Sequence, residues 1–332
     1  MREPDKPSSF WQISGTRLLS FAKEPAILAE ILLARYTCPT MSFENESTIS
    51  VNDTELAIRQ VGAGDPLVLV HGGVSDLRTW SGQVDAFAEH YRTILYSRRY
   101  HCPNEAIQPD APDPIQTHVD DLSALIVALN AQPAHLMGHS WGGLITLLLA
   151  MQRPDLCRSL VLIEPPLVSM HVSIPPKIGQ IIGLFVRSPR LAIAIAKLGG
   201  GALAPAEKAF RAGDDKIAIE RFGRGVLGDR AFNSLSSERY QQVWDNRGPD
   251  RAQALYKGFP DLLKAEFSNV DCPVLLVSGA ESPAIFGLLL DGLQNRLPDG
   301  RKCIIDGASH IVHEDASPAF NASVLAFLEQ AR

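Results

Sequence analysis

Gly138-His139-Ser140-Trp141-Gly142 constrains this chain more tightly than any other stretch. A short apolar run, Pro133-Ala134-His135-Leu136-Met137, leads into it and reads as a buried strand. Leu144-Ile145-Thr146-Leu147-Leu148-Leu149-Ala150 follows and reads as a helix ending near Arg153-Pro154. A serine with glycine two residues to either side, between a strand and a helix, marks a turn too sharp for bulky flanking residues. The turn leaves the Ser140 hydroxyl at the head of the helix. Free N–H groups and the macrodipole favour negative charge there. Glycine and serine are common, so the pattern needs partners before it means a nucleophile.

Two partners are present. Leu67-Val68-Leu69-Val70 is a solid apolar run, as expected of a central parallel strand, and His71-Gly72-Gly73 follows it. A glycine pair at a strand end lets backbone approach a ligand, so the Gly73 N–H and the Trp141 N–H are candidates for two halves of an oxyanion hole. Near the far end, Gly307-Ala308-Ser309-His310 follows the short strand Cys303-Ile304-Ile305. A loop after the last strand can reach back over the sheet, which makes His310 the candidate general base. His313 is expected to cap or to face solvent, and His71 and His139 to be structural.

With these residues the chain resembles the α/β-hydrolase superfamily in the chain order serine, acid, histidine. The resemblance spans about residues 47–332. It implies a mostly parallel eight-stranded sheet with helices on both faces and a helical cap inserted after strand six. It is specific for fold and uninformative about substrate, because function on a common fold must be argued from the site. The third catalytic member should be a carboxylate that holds the imidazole in one tautomer. In most relatives it stands three residues beyond the glycine ending strand seven. Three beyond Gly279 is Ser282, which cannot do this, and Glu281 is one residue early. Some members carry the acid just after strand six, and here Leu160-Val161-Leu162-Ile163 ends in Glu164. A carboxylate closing an apolar strand is costly unless paired. Glu164 is therefore preferred, with Glu281 as the alternative.

The organisation follows from the same pattern. Residues 1–46 form an extension, with apolar residues from Phe10 to Tyr36 spaced as amphipathic helix broken at Pro25. Packing on the core or at a homodimer interface is the expected role, ahead of a membrane-surface helix. The core is expected over 47–166 and 271–332, opening with a hairpin across Asn52-Asp53, and the cap over 167–270. Within the cap, helices are expected at Ile178–Val186 and Leu191–Leu198. Gly199-Gly200-Gly201 reads as a flexible break, with a charged helix after it. Ile181, Phe185 and Phe222 are candidate pocket-wall residues, with a core-facing role the preferred expectation for each. Arg98-Arg99 stands where relatives carry a glycine-containing loop and is expected to brace the pocket mouth.

Composition narrows the partners. The net charge of −6 with no basic cluster argues against nucleic acid. No apolar run reaches membrane-spanning length, and neither a dinucleotide fingerprint nor a P-loop occurs, so no cofactor is expected. The five cysteines are scattered without a C-x-x-C pair, which suits a reducing, cytoplasmic setting rather than a disulfide framework. The expectation is a serine hydrolase acting on a small hydrophobic ester, lactone or thioester. The rival enzyme readings are C–C bond hydrolysis and proline-iminopeptidase-like cleavage. A non-catalytic ligand-binding protein on the same fold is the reading from another class.

Overall fold

Alternation along the strands builds the core on both sides of one sheet. Leu67, Leu69, Met137, Val161, Ile163, Leu275 and Val277 belong to one buried cluster, with Trp80, Phe87 and Phe320. The residues between them, Val68, Val70, Leu136, Leu160, Leu162 and Leu276, belong to the other, with Leu122, Leu144 and Leu289. Successive side chains of a strand point to opposite faces, so these continuous apolar runs are stable only when helices cover both faces.

The computed structural model describes residues 46–331 except 109, 110 and 257. The N-terminal helical expectation over Phe10 to Tyr36 lies outside the described residues. Strands β1 (Glu46–Val51), β2 (Thr54–Val61), β3 (Pro66–Val70), β4 (Arg92–Tyr96), β5 (Ala134–His139), β6 (Cys157–Ile163), β7 (Val274–Gly279) and β8 (Gly300–Ile305) form an eight-stranded sheet. Their order is β1-β2-β4-β3-β5-β6-β7-β8. Only β2 runs antiparallel to its neighbours; the other pairings are parallel. Asn52 turns the β1–β2 hairpin with φ +48°, a conformation asparagine tolerates.

Helices α1 (Val84–Ala88), α2 (Ile115–Ala128) and α3 (Trp141–Gln152) lie between the earlier strands. The chain between β6 and β7 is helical: α4 (Ile178–Arg187), α5 (Pro189–Leu198), α6 (Ala204–Arg211), α7 (Asp215–Leu227), α8 (Asp229–Asn233), α9 (Ser237–Asp245) and α10 (Arg247–Leu255). Helices α11 (Ala284–Gln294), α12 (Val312–Asp315) and α13 (Ser317–Gln330) complete the described chain. No helix among the described residues is long and apolar enough to cross a membrane.

Two expectations need correction here. The glycine run is not a flexible break: Gly199–Leu203 is a wide helical turn, and the flanking Leu198 and Ala204 keep helical angles, so α5 runs into α6. Nothing crowds Gly199, Gly200 or Gly201, and the Ala204 N–H donates to the Gly199 carbonyl across the turn. The second concerns the cysteines. Cys157, Cys272 and Cys303 are free thiols, but Cys102 is disulfide-bonded, which spacing alone did not reveal.

Parallel pairing brings the carboxyl ends of β3, β5, β6 and β7 level with one another. Val70 pairs with Gly138, His139 with Ile163, and Ile163 with Val277. His71, Ser140, Glu164 and the loop after Gly279 therefore share one edge of the sheet, where open α/β folds place their ligands.

Candidate active site

Ser140 occupies the turn between β5 and α3 with φ +49° and ψ −115°, a strained combination for a residue with a side chain. The turn is held by the Ser140 N–H donating to the Ile163 carbonyl at 2.7 Å. The flanking glycines are sterically required. A Cβ on Gly138 would sit 2.4 Å from the Gly142 carbonyl oxygen, and one on Gly142 only 2.2 Å from that of Val70. The Ser140 hydroxyl has no hydrogen-bond partner among the described residues, and Ser140 lines a cavity with His310, Gly73 and His139.

Glu164 is fully buried at the end of β6, with φ +47°. Burying an ionised carboxylate is tolerable only when its oxygens are satisfied. Oε1 accepts from the Ser278 hydroxyl at 2.7 Å and the Gly279 N–H at 2.9 Å. Oε2 accepts from the Ser282 hydroxyl at 2.9 Å and pairs with His310 Nδ1 at 2.7 Å. Every lone-pair direction that matters is used, and the imidazole is oriented with Nδ1 toward the acid. Glu281, by contrast, lies on the outer loop and pairs with Arg230 at 3.0 Å, where the arginine side chain is 88% exposed. The structure thus brings Glu164 and His310 together and leaves Glu281 apart.

The His310 ring is stacked on Phe286 at 4.0 Å between centroids, and its backbone carbonyl accepts from His139 Nε2 at 3.0 Å. Burial, with help from the neighbouring His313 and His310, pushes the His139 pKa well below the usual imidazole range. A neutral His139 keeps one N–H to donate and leaves the other nitrogen bare. His313 neither caps nor meets solvent. It is fully buried, lies against Trp80 at 4.4 Å, and shares a 2.9 Å hydrogen bond with the Thr79 hydroxyl. The short helix α12 turns it inward behind His139, 4.7 Å away.

The loop after β3 is braced from below. Arg98 is fully buried, and its Nη2 donates to the Gly72 carbonyl at 2.8 Å. Its own N–H donates to His71 Nε2 at 2.8 Å. Burial pulls the Arg98 pKa down to about 10, and the same burial, with Arg98 nearby, drives that of His71 well below the usual range. Arg99 forks onto Asp121 at 2.8 Å from both Nε and Nη2. Both arginines brace, as expected, and neither lines the cavity. Among the described residues the N–H groups of Gly73 and Trp141 are bonded to no other group. Trp141 is the first residue of α3, so its N–H is one of that helix's orphan donors.

The cavity wall opposite Ser140 comes from α7, α8 and α9. Ile219, Phe222, Val226, Leu227, Phe232 and Val243 supply it, with Arg239 as the one Lys or Arg among the described residues that line it. Phe222 lines the cavity rather than facing the core. Ile181 and Phe185 do neither: they are 46% and 56% exposed on the outside of α4. Apolar periodicity identifies a helix, but it does not say which neighbour the helix meets, so the α7–α9 wall went unread. Asp250 was also missed. It is a buried residue of α10 that stands over the β3 loop, its Oδ1 3.6 Å from where a Cβ of Gly73 would lie. Burial raises its pKa to about 7 against the opposing pull of Arg98.

Comparison with known proteins agrees with this architecture. A family model described as alpha/beta hydrolase fold matches residues 65–317. An (E)-2-((N-methylformamido)methylene)succinate hydrolase of Acinetobacter baylyi is 25% identical over 273 residues, covering 81% of this chain and 92% of that protein. A pimeloyl-[acyl-carrier protein] methyl ester esterase of Aeromonas hydrophila is 25% identical over 267 residues, covering 77% and 92%. Among solved structures, the enol-lactonase of Burkholderia xenovorans superposes with a TM-score of 0.66 at 21% identity, covering 85% of this chain and all 100% of that one. The chain belongs to the alpha/beta hydrolase fold family.

Proposed function

We propose that this protein is a serine hydrolase that cleaves a small, mostly apolar ester, lactone or thioester through an acyl-enzyme on Ser140. The observation that carries the reading is the 2.7 Å pair of Glu164 and His310 beside the strained serine of the same cavity. His310 Nε2 takes the Ser140 proton as the oxygen adds to the acyl carbon. The Gly73 and Trp141 N–H groups receive the charge that develops on the carbonyl oxygen, each worth about 3 kcal/mol of barrier. His310 then returns the proton to the leaving oxygen or sulfur, and the acyl group stays on Ser140. Water adds in the second half, giving its proton to His310, and the carboxylic acid leaves as Ser140 is reprotonated. Glu164 holds the imidazole in the tautomer whose Nε2 can accept, and it stabilises the imidazolium.

The helical insertion acts as a cap: its Phe222, Val226 and Phe232 shield the serine from bulk water and suit an apolar acyl group. The enol-lactonase and the methyl ester esterase point in the same direction, at low identity. The test is covalent labelling with a fluorophosphonate, followed by turnover of p-nitrophenyl esters of increasing chain length. Labelling confined to Ser140, with activity abolished in Ser140→Ala, is expected. A folded protein that takes no label and turns over no ester or lactone is instead a non-catalytic binding protein.

A further inference from the structure

The apolar residues of α4 turn away from the cavity, and they do so as a set. Ile178, Ile181, Ile182, Phe185 and Val186 recur at i, i+3, i+4, i+7 and i+8, which is one continuous stripe of an α-helix. Such a stripe is ordinarily the face a helix buries. Here these residues are 77%, 46%, 61%, 56% and 77% exposed, while Leu184 between them is buried against the core. Ile174 before the helix and Ile193 on α5 are exposed too. Single exposed apolar residues are ordinary, but a contiguous patch marks something that covers it.

Charge says what covers it. From Pro165 to Ala206 the chain carries no Asp or Glu, and its cations there are Lys177, Arg187, Arg190 and Lys197. All four are exposed. The whole chain has a net charge of −6, so the α4–α5 hairpin is a cationic spot on an anionic molecule. The carboxylate beside it in the groove against α11, Asp291, is occupied by Lys302 at 2.5 Å. A two-fold pairing of this surface with a second copy would bring the same cations face to face. An apolar helical stripe bordered by cations is the composition of a helix that lies in a membrane interface, and the positive charge selects anionic headgroups.

We propose that the α4–α5 hairpin docks this protein on an anionic lipid surface, with α4 in the plane of the interface and its isoleucine–phenylalanine stripe at the headgroup–acyl boundary. The attachment is peripheral and requires no spanning helix. It does not depend on the chemistry assigned to Ser140.

The experiment is co-sedimentation of the full chain with vesicles of phosphatidylglycerol and, separately, of phosphatidylcholine. Binding to phosphatidylglycerol is expected at least tenfold tighter than to phosphatidylcholine, and weaker as salt is raised. The double variant Ile182→Ser, Phe185→Ser should bind at least tenfold more weakly. Lys177→Gln and Arg187→Gln should each cost about fivefold. These side chains are at the surface, so melting temperature and fluorophosphonate labelling of the variants should stay at wild-type values, which separates lost docking from lost folding. A full chain that stays in the supernatant with phosphatidylglycerol overturns the proposal. Two measurements then say what holds the stripe instead. A dimer in sedimentation velocity that the serine variant makes monomeric assigns it to a second copy. A polarity-sensitive fluorophore on Phe185→Cys that is already blue-shifted in lipid-free monomer assigns it to the protein's own residues 1–45.

Discussion

Replacing Glu164 with Gln tests the proposed catalytic arrangement at its most specific point. The substitution keeps size and removes charge, and the hydrogen bonds dictate how the amide must sit. The carboxylate Oε1 accepts from the Gly279 N–H, which has a fixed direction, so the new NH2 group cannot stand there. It must take the Oε2 position, facing Ser282 and His310 Nδ1. Nδ1 then becomes the acceptor and the imidazole proton moves to Nε2, the nitrogen that has to receive the serine proton. A wrong-tautomer histidine of this kind costs about 10⁴-fold in kcat, or roughly 5.5 kcal/mol. The expected result with a p-nitrophenyl ester is therefore a kcat down by about four orders of magnitude, with KM changed by no more than about threefold. Glu281→Gln, on its exposed loop with Arg230, should leave turnover within about twofold. The reasoning is refuted if Glu164→Gln keeps a tenth or more of wild-type turnover, or if Glu281→Gln is the variant that loses it.

Two further outcomes follow from strain and burial. Ser140 at φ +49° and ψ −115° stores conformational energy that glycine would not, so Ser140→Gly should be inactive yet about 1 kcal/mol more stable than Ser140→Ala in urea unfolding. Equal stability would mean that the turn is not strained. Asp250, with its pKa raised by burial to about 7, is a group whose folded value exceeds its unfolded one. Its burden on the fold is absent below the unfolded pKa and complete above pH 7, so it lowers stability as pH rises. Asp250→Asn should accordingly stabilise the protein more at pH 8 than at pH 5, by on the order of 3 kcal/mol, measured as the difference in unfolding free energy between variant and wild type at each pH. A pH-independent difference would show that the carboxyl titrates normally.

The strands were readable because a two-sided parallel sheet demands uninterrupted apolar runs, and β3, β5, β6 and β7 are such runs. The Ser140 turn was readable because its geometry excludes side chains at Gly138 and Gly142. The choice between Glu164 and Glu281 was harder. Both follow the ends of adjacent strands; an apolar run closing in Glu164 favours it in sequence, and the turn directions, φ +47° at Glu164 and an outward loop at Glu281, separate them in space. His313 was misjudged because a four-residue helix after Ile311 rotates it inward, and so short an element has no periodicity to detect. Ile181 and Phe185 were misjudged for the opposite reason. Their periodicity is excellent, but it specifies a face and not what that face meets.

The Ser282 hydroxyl touches the same Glu164 oxygen that holds His310, and Ser282 follows β7 while Glu164 follows β6. Two neighbouring strand ends therefore converge on a single point behind the imidazole. A side chain at 282 reaches the same oxygen that orients the ring, and the Glu164–His310 pair is held from both strands at once.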